Sequence, residues 1–303
     1  MRSQTPAASA GGSAAVIEVD AATLLVGWGA GGWFWLWVTT RRREVGLGYG
    51  WLMRGIFLAL GAGSLIAGAA TDSGHWGETA RDIATVGLLV AGGWALLQSV
   101  RLRSAGVAMQ RSEVQRRSAR VAAMTGIDRA EPRFDPESPE FDPVLDLYAA
   151  CVGLAAVFFG ALAAGGPTGL AVARTMIGAL FVGAVISAML LGHWYLVQPG
   201  LARGPLLQMI AAAAVLWLPE ALVMLWPTGM VSVLDGTIDD GYNGLLGWFW
   251  VACTAMTIAL MAVARAALRE RQYSAVMAAT GLIYLAIVTA FGQDLVARIL
   301  LAP

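Results

Sequence analysis

Apolar positions gather into eight long runs, roughly 21–39, 49–70, 83–100, 147–165, 169–197, 206–226, 244–266 and 273–296. An α-helix needs about 20 residues to cross a hydrocarbon layer about 30 Å thick, and each run is close to that length. The runs are continuous, whereas the strands of a membrane barrel alternate over about 10 residues. The pattern therefore predicts helices, whose backbone groups are satisfied within the segment as lipid requires. The expected fold is all-α: a polytopic integral membrane helix bundle of about eight transmembrane helices. Residues 1–20 are small and polar. They read as a flexible extracytoplasmic tail rather than a signal peptide, so the first run is expected to stay as a span.

Composition agrees. The chain is 58% hydrophobic and 13% charged, against about 25% charged residues in soluble domains. A net charge of zero gives no global attraction to nucleic acid. Cys151 and Cys253 both fall inside apolar runs and suggest no disulfide framework.

Charge sets an expected orientation. Arg41, Arg42 and Arg43, the arginines between Arg101 and Arg133, Arg203, Arg265, Arg269 and Arg271 all fall on one side of eight alternating spans. The other side carries Asp72, Glu78, Asp82, Asp235, Asp239 and Asp240. The arginine-rich side is expected to be cytoplasmic, which places both termini outside the cytoplasm. The localisation that follows is the inner (plasma) membrane of a bacterium, as a multi-pass protein.

The organisation is then a tail at 1–20, spans one to three over 21–100, a cytoplasmic segment at 101–146, and spans four to eight over 147–303. The cytoplasmic segment has two halves. Val100, Val107, Val114 and Val121 recur every seven residues in a basic run, which reads as a helix on anionic headgroups or a contact for a partner. The second half repeats Phe-Asp-Pro at Phe134 and Phe141. Its prolines forbid helix and favour an extended strap, either a plain linker or one whose Phe rings dock on the helix ends. The stretch from Asp235 to Gly241 has the look of a displaced calcium loop. Without a bidentate Glu at the right distance it reads as a Gly/Asp turn, and no metal site is expected.

Arg54 and Arg174 open similar stretches, in which Ala-Leu, Gly and Ile coincide at equal offsets in the second and fifth spans. This fits either chance in a sequence rich in these residues or an inverted repeat of spans 1–3 and 4–6. Gly27 and Gly31, four apart, suggest close helix approach. The tryptophans near span ends, Trp33, Trp226, Trp248 and Trp250 among them, suggest interfacial anchoring.

Two groups of residues carry candidate chemistry. Arg174 and Glu220 lie at similar depth in consecutive spans, with Pro219 before the carboxylate. A charge at membrane depth costs about 3 kcal/mol or more, so they are expected to form an intramembrane ion pair or a proton site. His193, Trp194, Tyr195, Arg54 and Gln208 lie toward the cytoplasmic rim. They form a candidate ligand site for a quinone or lipid headgroup. Haem is disfavoured, since the only other histidine, His75, is in a loop on the opposite side. No phosphate-binding, dinucleotide, metalloprotease or nucleophile-elbow motif is present, so catalysis is not expected. The reading that follows is a non-catalytic integral subunit of a larger, energy-transducing membrane assembly, with lipids and other membrane subunits as partners. The alternative is a small proton-coupled transporter or channel using Glu220 and Arg174.

Overall fold

The computed structural model describes residues 17–42, 44–71, 73–102, 141–198, 201–227, 229–270 and 272–301. Their helices are α1 (Ala21–Thr40), α2 (Leu47–Thr71), α3 (Trp76–Leu102), α4 (Val144–Ala163), α5 (Thr168–Val197), α6 (Gly204–Leu225), α7 (Met230–Leu234), α8 (Leu245–Ala267) and α9 (Tyr273–Leu301). All but the single turn α7 are long and apolar enough to cross a membrane. These eight apolar helices give the protein the architecture of a multi-pass membrane protein.

Local chemistry sets the helix ends. The Asp20 carboxylate accepts the Thr23 N–H at 2.8 Å and caps α1. Pro205 sits in the first turn of α6, where its missing N–H costs nothing. Asp240 accepts N–H groups of Tyr242, Gly244 and Leu246 at 2.8–2.9 Å and so organises the start of α8. The acidic stretch from Asp235 to Gly241 is thus a series of turns in which carboxylates bind backbone: Asp235 accepts from Thr237 and Asp239 from Gly241, each at 2.9 Å.

Two boundaries differ from the hydropathy pattern. Helix α3 starts at Trp76, well before its apolar run, because its polar first turns find partners. Glu78 accepts the N–H and hydroxyl of Ser73 at 2.8 and 2.9 Å, and Arg81 pairs with Asp20 and Asp82. Helix α4 starts at Val144, so Asp146 belongs to its first turn and not to the linker.

The eight long helices pack as two four-membered rings. In the first, α1 touches α2, α2 touches α3, α3 touches α4 and α4 returns to α1. In the second, α5 touches α6, α6 touches α8, α8 touches α9 and α9 returns to α5. The rings meet chiefly along α1 and α5. An inverted three-span repeat would pair α1–α5 with α4–α2, and α3–α4 with α6–α1. The first member of each pair is an extensive contact and the second is not, so the packing follows a four-plus-four order instead.

The crossing of α1 and α5 depends on small residues. A Cβ at Gly31 would lie 2.7 Å from the Ala179 carbonyl carbon, and one at Gly183 would lie 2.7 Å from the Gly31 Cα. Backbones approach here because nothing intervenes. These helices are also the most enclosed: 61% and 72% of their most apolar windows are buried, against 28–44% elsewhere.

Several tryptophans are interior rather than interfacial. Trp33 is fully buried against Phe57, and Trp250 is 2% exposed. The indole N–H groups of Trp35 and Trp217 donate to Leu180 and Thr254 carbonyls on neighbouring helices. Trp226 and Trp248 do face outward. Of the two strap phenylalanines, Phe141 is buried; Phe134 and the basic run through Val107, Val114 and Val121 lie outside the described residues.

Candidate functional site

The structure divides the candidate residues into three places. Arg54 does not join His193 at the rim. It points into the first ring, where Nε and Nη2 donate to the two oxygens of Asp146 at 2.8 and 2.7 Å. The Arg54 and Asp146 side chains are 2% and 0% exposed. Ser99 accepts from Arg54 Nη1 and from the Trp51 indole, each at 3.0 Å, and the Thr40 hydroxyl reaches Asp146 at 3.3 Å. The Phe141 ring covers the guanidinium at 4.4 Å. A bidentate, aromatic-capped pair of this kind ties α2, α3, α4 and the strap together. The expected rim role of Arg54 fails for a physical reason: a guanidinium this deep is satisfied by the nearest carboxylate, and Asp146 is inside the bundle.

His193, Trp194 and Tyr195 are consecutive on a helix, so they fan out about 100° apart. The Tyr195 hydroxyl turns inward and donates to the Ala202 carbonyl. Trp194 donates to Gln198 Oε1 at 3.1 Å and packs on Tyr49 of α2. His193 faces out from α5, with Nδ1 3.0 Å from the Tyr284 hydroxyl of α9. Gln208, half-buried on α6, joins none of these contacts among the described residues. The five residues therefore do not form one pocket.

The third place is at the opposite, acidic end. Glu220 of α6, Arg174 of α5, and Asp294 and Arg298 of α9 lie within two turns of their helix ends on that side. Three of them converge on Gly178. A Cβ there would lie 2.5 Å from Arg298 Nη2, 3.2 Å from Asp294 Oδ1 and 3.5 Å from Glu220 Oε1. Arg298 Nε donates to Asp294 Oδ1 at 2.8 Å, and Nη2 reaches the Arg174 carbonyl at 3.3 Å. Arg174 Nε donates to the Val223 carbonyl at 2.8 Å.

Glu220 is not the hydrogen-bonded partner of Arg174 that its depth suggested. It is 0% exposed, and neither carboxyl oxygen accepts a hydrogen bond among the described residues. The guanidinium of Arg174 is turned to the end of α6, where the orphan carbonyls of the last turn compete for it. Met224, Trp250 and Ala297 pack together just outside. Glu220 and Gln293 sit one turn inward from Met224 and Ala297 on the same helix faces. Gln293 is likewise buried with both amide atoms unpartnered, and so is the Trp250 indole N–H.

A narrow crevice runs from Asp294 and Arg298 of this cluster into the seam between the two rings. Thr23, Gly27 and Trp28 of α1, Thr175 and Gly178 of α5, and Asp294 and Arg298 of α9 line it. A second lies between Ile17, Val19, Arg174, Met224, Arg298 and Leu301, so Arg298 lines both. Each has room for about one water molecule.

Sequence reasoning missed Asp146, Asp294, Arg298 and Tyr284. Asp294 and Arg298 had a visible signal: an acid and a base four apart at the end of an apolar run, on one helix face. Asp146 and Tyr284 had none, since only packing brings them to Arg54 and His193. Comparison with protein-family models, with curated proteins and with solved structures finds no match.

Proposed function

We propose that this is a small proton-coupled membrane transporter in which Glu220 binds and releases the proton. The observation that carries the reading is the burial of Glu220, with no hydrogen-bond partner among the described residues, beside Asp294 and directly after Pro219 inside α6. A carboxylate at membrane depth costs about 3 kcal/mol or more, and hydrogen bonds to Glu220 do not offset that cost. The neutral acid escapes most of it. Arg298 and Asp294 of α9 converge with the Glu220 carboxyl on Gly178 of α5, and α7 carries no charged residue.

The crevice at the seam reaches Asp294 and Arg298, which converge with Glu220 on Gly178. Its Thr23 and Thr175 hydroxyls and the Asp294 carboxyl border a space sized for about one water, which suits a proton passed by way of Asp294 rather than a larger solute. Transporters built from parallel halves place their sites at the interface between halves, and the two-ring packing supports the reading by that fold-level analogy alone. In this proposal the arginine-rich end faces the bacterial cytoplasm and Glu220 is loaded from the outer face.

Proteoliposomes enclosing a pH-sensitive dye test this. Under an imposed gradient the wild type should carry protons, and Glu220→Gln and Asp294→Asn should abolish the flux. Difference infrared spectra should show a carboxylic-acid band that Glu220→Gln removes. Undiminished flux in Glu220→Gln, or no flux in the wild type together with no such band, refutes the proposal. A second reading, an integral subunit of a larger assembly, draws on the outward-facing His193–Tyr284 pair; native co-purification of further membrane chains would favour it.

A further inference from the structure

We infer that His193 and Tyr284 form a binding site, on the outer wall of α5 and α9, for a neutral bilayer-dissolved molecule with ring carbonyl oxygens, of the quinone class. The inference is independent of the proton site, which lies at the other end of the bundle.

The argument begins with exposure. Outward surface in the spanning part of a bundle is apolar, and polar side chains there face the interior or a ligand. Val197, Met277, Leu285 and Val288 are exposed apolar neighbours that fit a lipid-facing wall. His193 and Tyr284 do not, yet both are exposed, with Tyr284 at 41%. Tyr284 lies 11 residues into α9, about 16 Å from the helix end at 1.5 Å per residue. The helix has 29 residues, about 43 Å, and so exceeds the layer of about 30 Å by about 13 Å. The tyrosine therefore falls inside the apolar layer rather than among headgroups.

The pair is built to meet an acceptor. Its rings are perpendicular at 6.2 Å, with the hydroxyl 3.0 Å from Nδ1. Nδ1 and the hydroxyl face each other, which leaves Nε2 and the phenol oxygen for a ligand. Met277, Gly281, Tyr284 and Val288 follow one face of α9, and a Cβ at Gly281 would meet nothing within 4 Å. Open space thus adjoins the phenol, and a flat ring fits there beside it.

Charge narrows the class. A phosphate headgroup calls for Arg or Lys. The His193–Tyr284 pair holds no guanidinium, and Arg203 at the same rim is engaged by the carbonyls of Leu268, Glu270 and Gln272. A neutral carbonyl-bearing head needs no cation. Phospholipid ester carbonyls offer similar acceptors without the ring, and the experiment separates the two sources.

The protein in nanodiscs of phosphatidylethanolamine and phosphatidylglycerol is titrated with decylubiquinone, with decanol as the chain-only control. Binding is read by tryptophan quenching and by the thermal midpoint. Saturable quenching with a raised midpoint is expected for the wild type and not with decanol. His193→Ala and Tyr284→Phe should each weaken binding about tenfold, as expected for one hydrogen bond of about 1.4 kcal/mol. Gly281→Leu should abolish binding; a Cβ there meets nothing within 4 Å, and a ligand-free thermal midpoint equal to the wild type's shows that the loss is specific. No saturable response in the wild type overturns the inference, as does equal binding in all three variants. Equal stabilisation by decanol or by added phospholipid overturns it too, since the wall would then be only a lipid contact.

Discussion

Replacing Asp146 with Ala leaves Arg54 with its two shortest hydrogen bonds gone and its side chain still 2% exposed. What remains is Ser99 at 3.0 Å and the Phe141 ring at 4.4 Å. Breaking one side of a buried ion pair costs about 3–5 kcal/mol, because the other charge is stranded, whereas replacing both partners by apolar groups of similar volume is often neutral or stabilising. The ring and the serine relieve part of that cost, a cation–π contact contributing about 0.5–2 kcal/mol. A net loss of about 3 kcal/mol is a shift of about a hundredfold in the unfolding equilibrium. The double variant Arg54→Met/Asp146→Leu should recover most of it. Detergent-solubilised protein in a Cys151→Ala background suits the assay, because Cys253 is then the buried thiol and a thiol-reactive dye reports its exposure. Asp146→Ala should unfold at markedly lower temperature, and the double variant close to the parent. If Asp146→Ala unfolds like the parent, or if the double variant is no better than the single one, the pair does not hold the first ring together and the reasoning is wrong.

Other outcomes follow from the geometry. Gly183→Val places side-chain atoms where the α1 backbone runs; overpacking costs about 1–3 kcal/mol or more, and the variant should melt lower and lose monodispersity in size-exclusion chromatography. Gly178→Ala introduces a Cβ 2.5 Å from Arg298 Nη2; it should shift the pH dependence of proton flux while changing the thermal midpoint far less than Gly183→Val does. Burial opposes ionisation of Asp240, but the N–H groups of Gly244, Tyr242 and Leu246 outweigh it and hold its carboxyl below the ordinary value. A depressed folded-state value stabilises the folded form fully above the ordinary carboxylate range, and the contribution is lost as pH falls through the depressed value. Hydrogen exchange at Gly244 and Leu246 should accelerate on that acid limb, and Asp240→Asn should flatten the dependence.

The order and type of the elements were readable because lipid-crossing helices need long apolar runs, and those survive in one dimension. The errors cluster at polar residues that fold into the bundle. Hydropathy places Asp146 in a linker and Arg54 at a rim because it cannot tell a solvated charge from a paired one. Arg298 lay beyond the last apolar run, yet it meets Asp294 and the Arg174 backbone.

Residues 169–226 show the division most clearly. Their composition alone determined that Arg174 and Glu220 share one end of the bundle and His193 and Tyr195 the other, because 1.5 Å per residue along a helix converts position into depth. Composition likewise determined the helical class and the number of apolar spans. Rotation about each helix axis was left open, and it decides partnership. The tertiary structure turned Arg174 toward Val223, left Glu220 beside Asp294, and sent Tyr195 inward and His193 outward to Tyr284. It also set the packing order as two four-helix rings that meet along α1 and α5, which the similarity between the Arg54 and Arg174 stretches left open. The physical reason is the same throughout. In a bundle whose helices are apolar on most faces, the hydrophobic pattern has little periodicity to fix which face looks where, and close packing at residues such as Gly31 and Gly183 sets it instead.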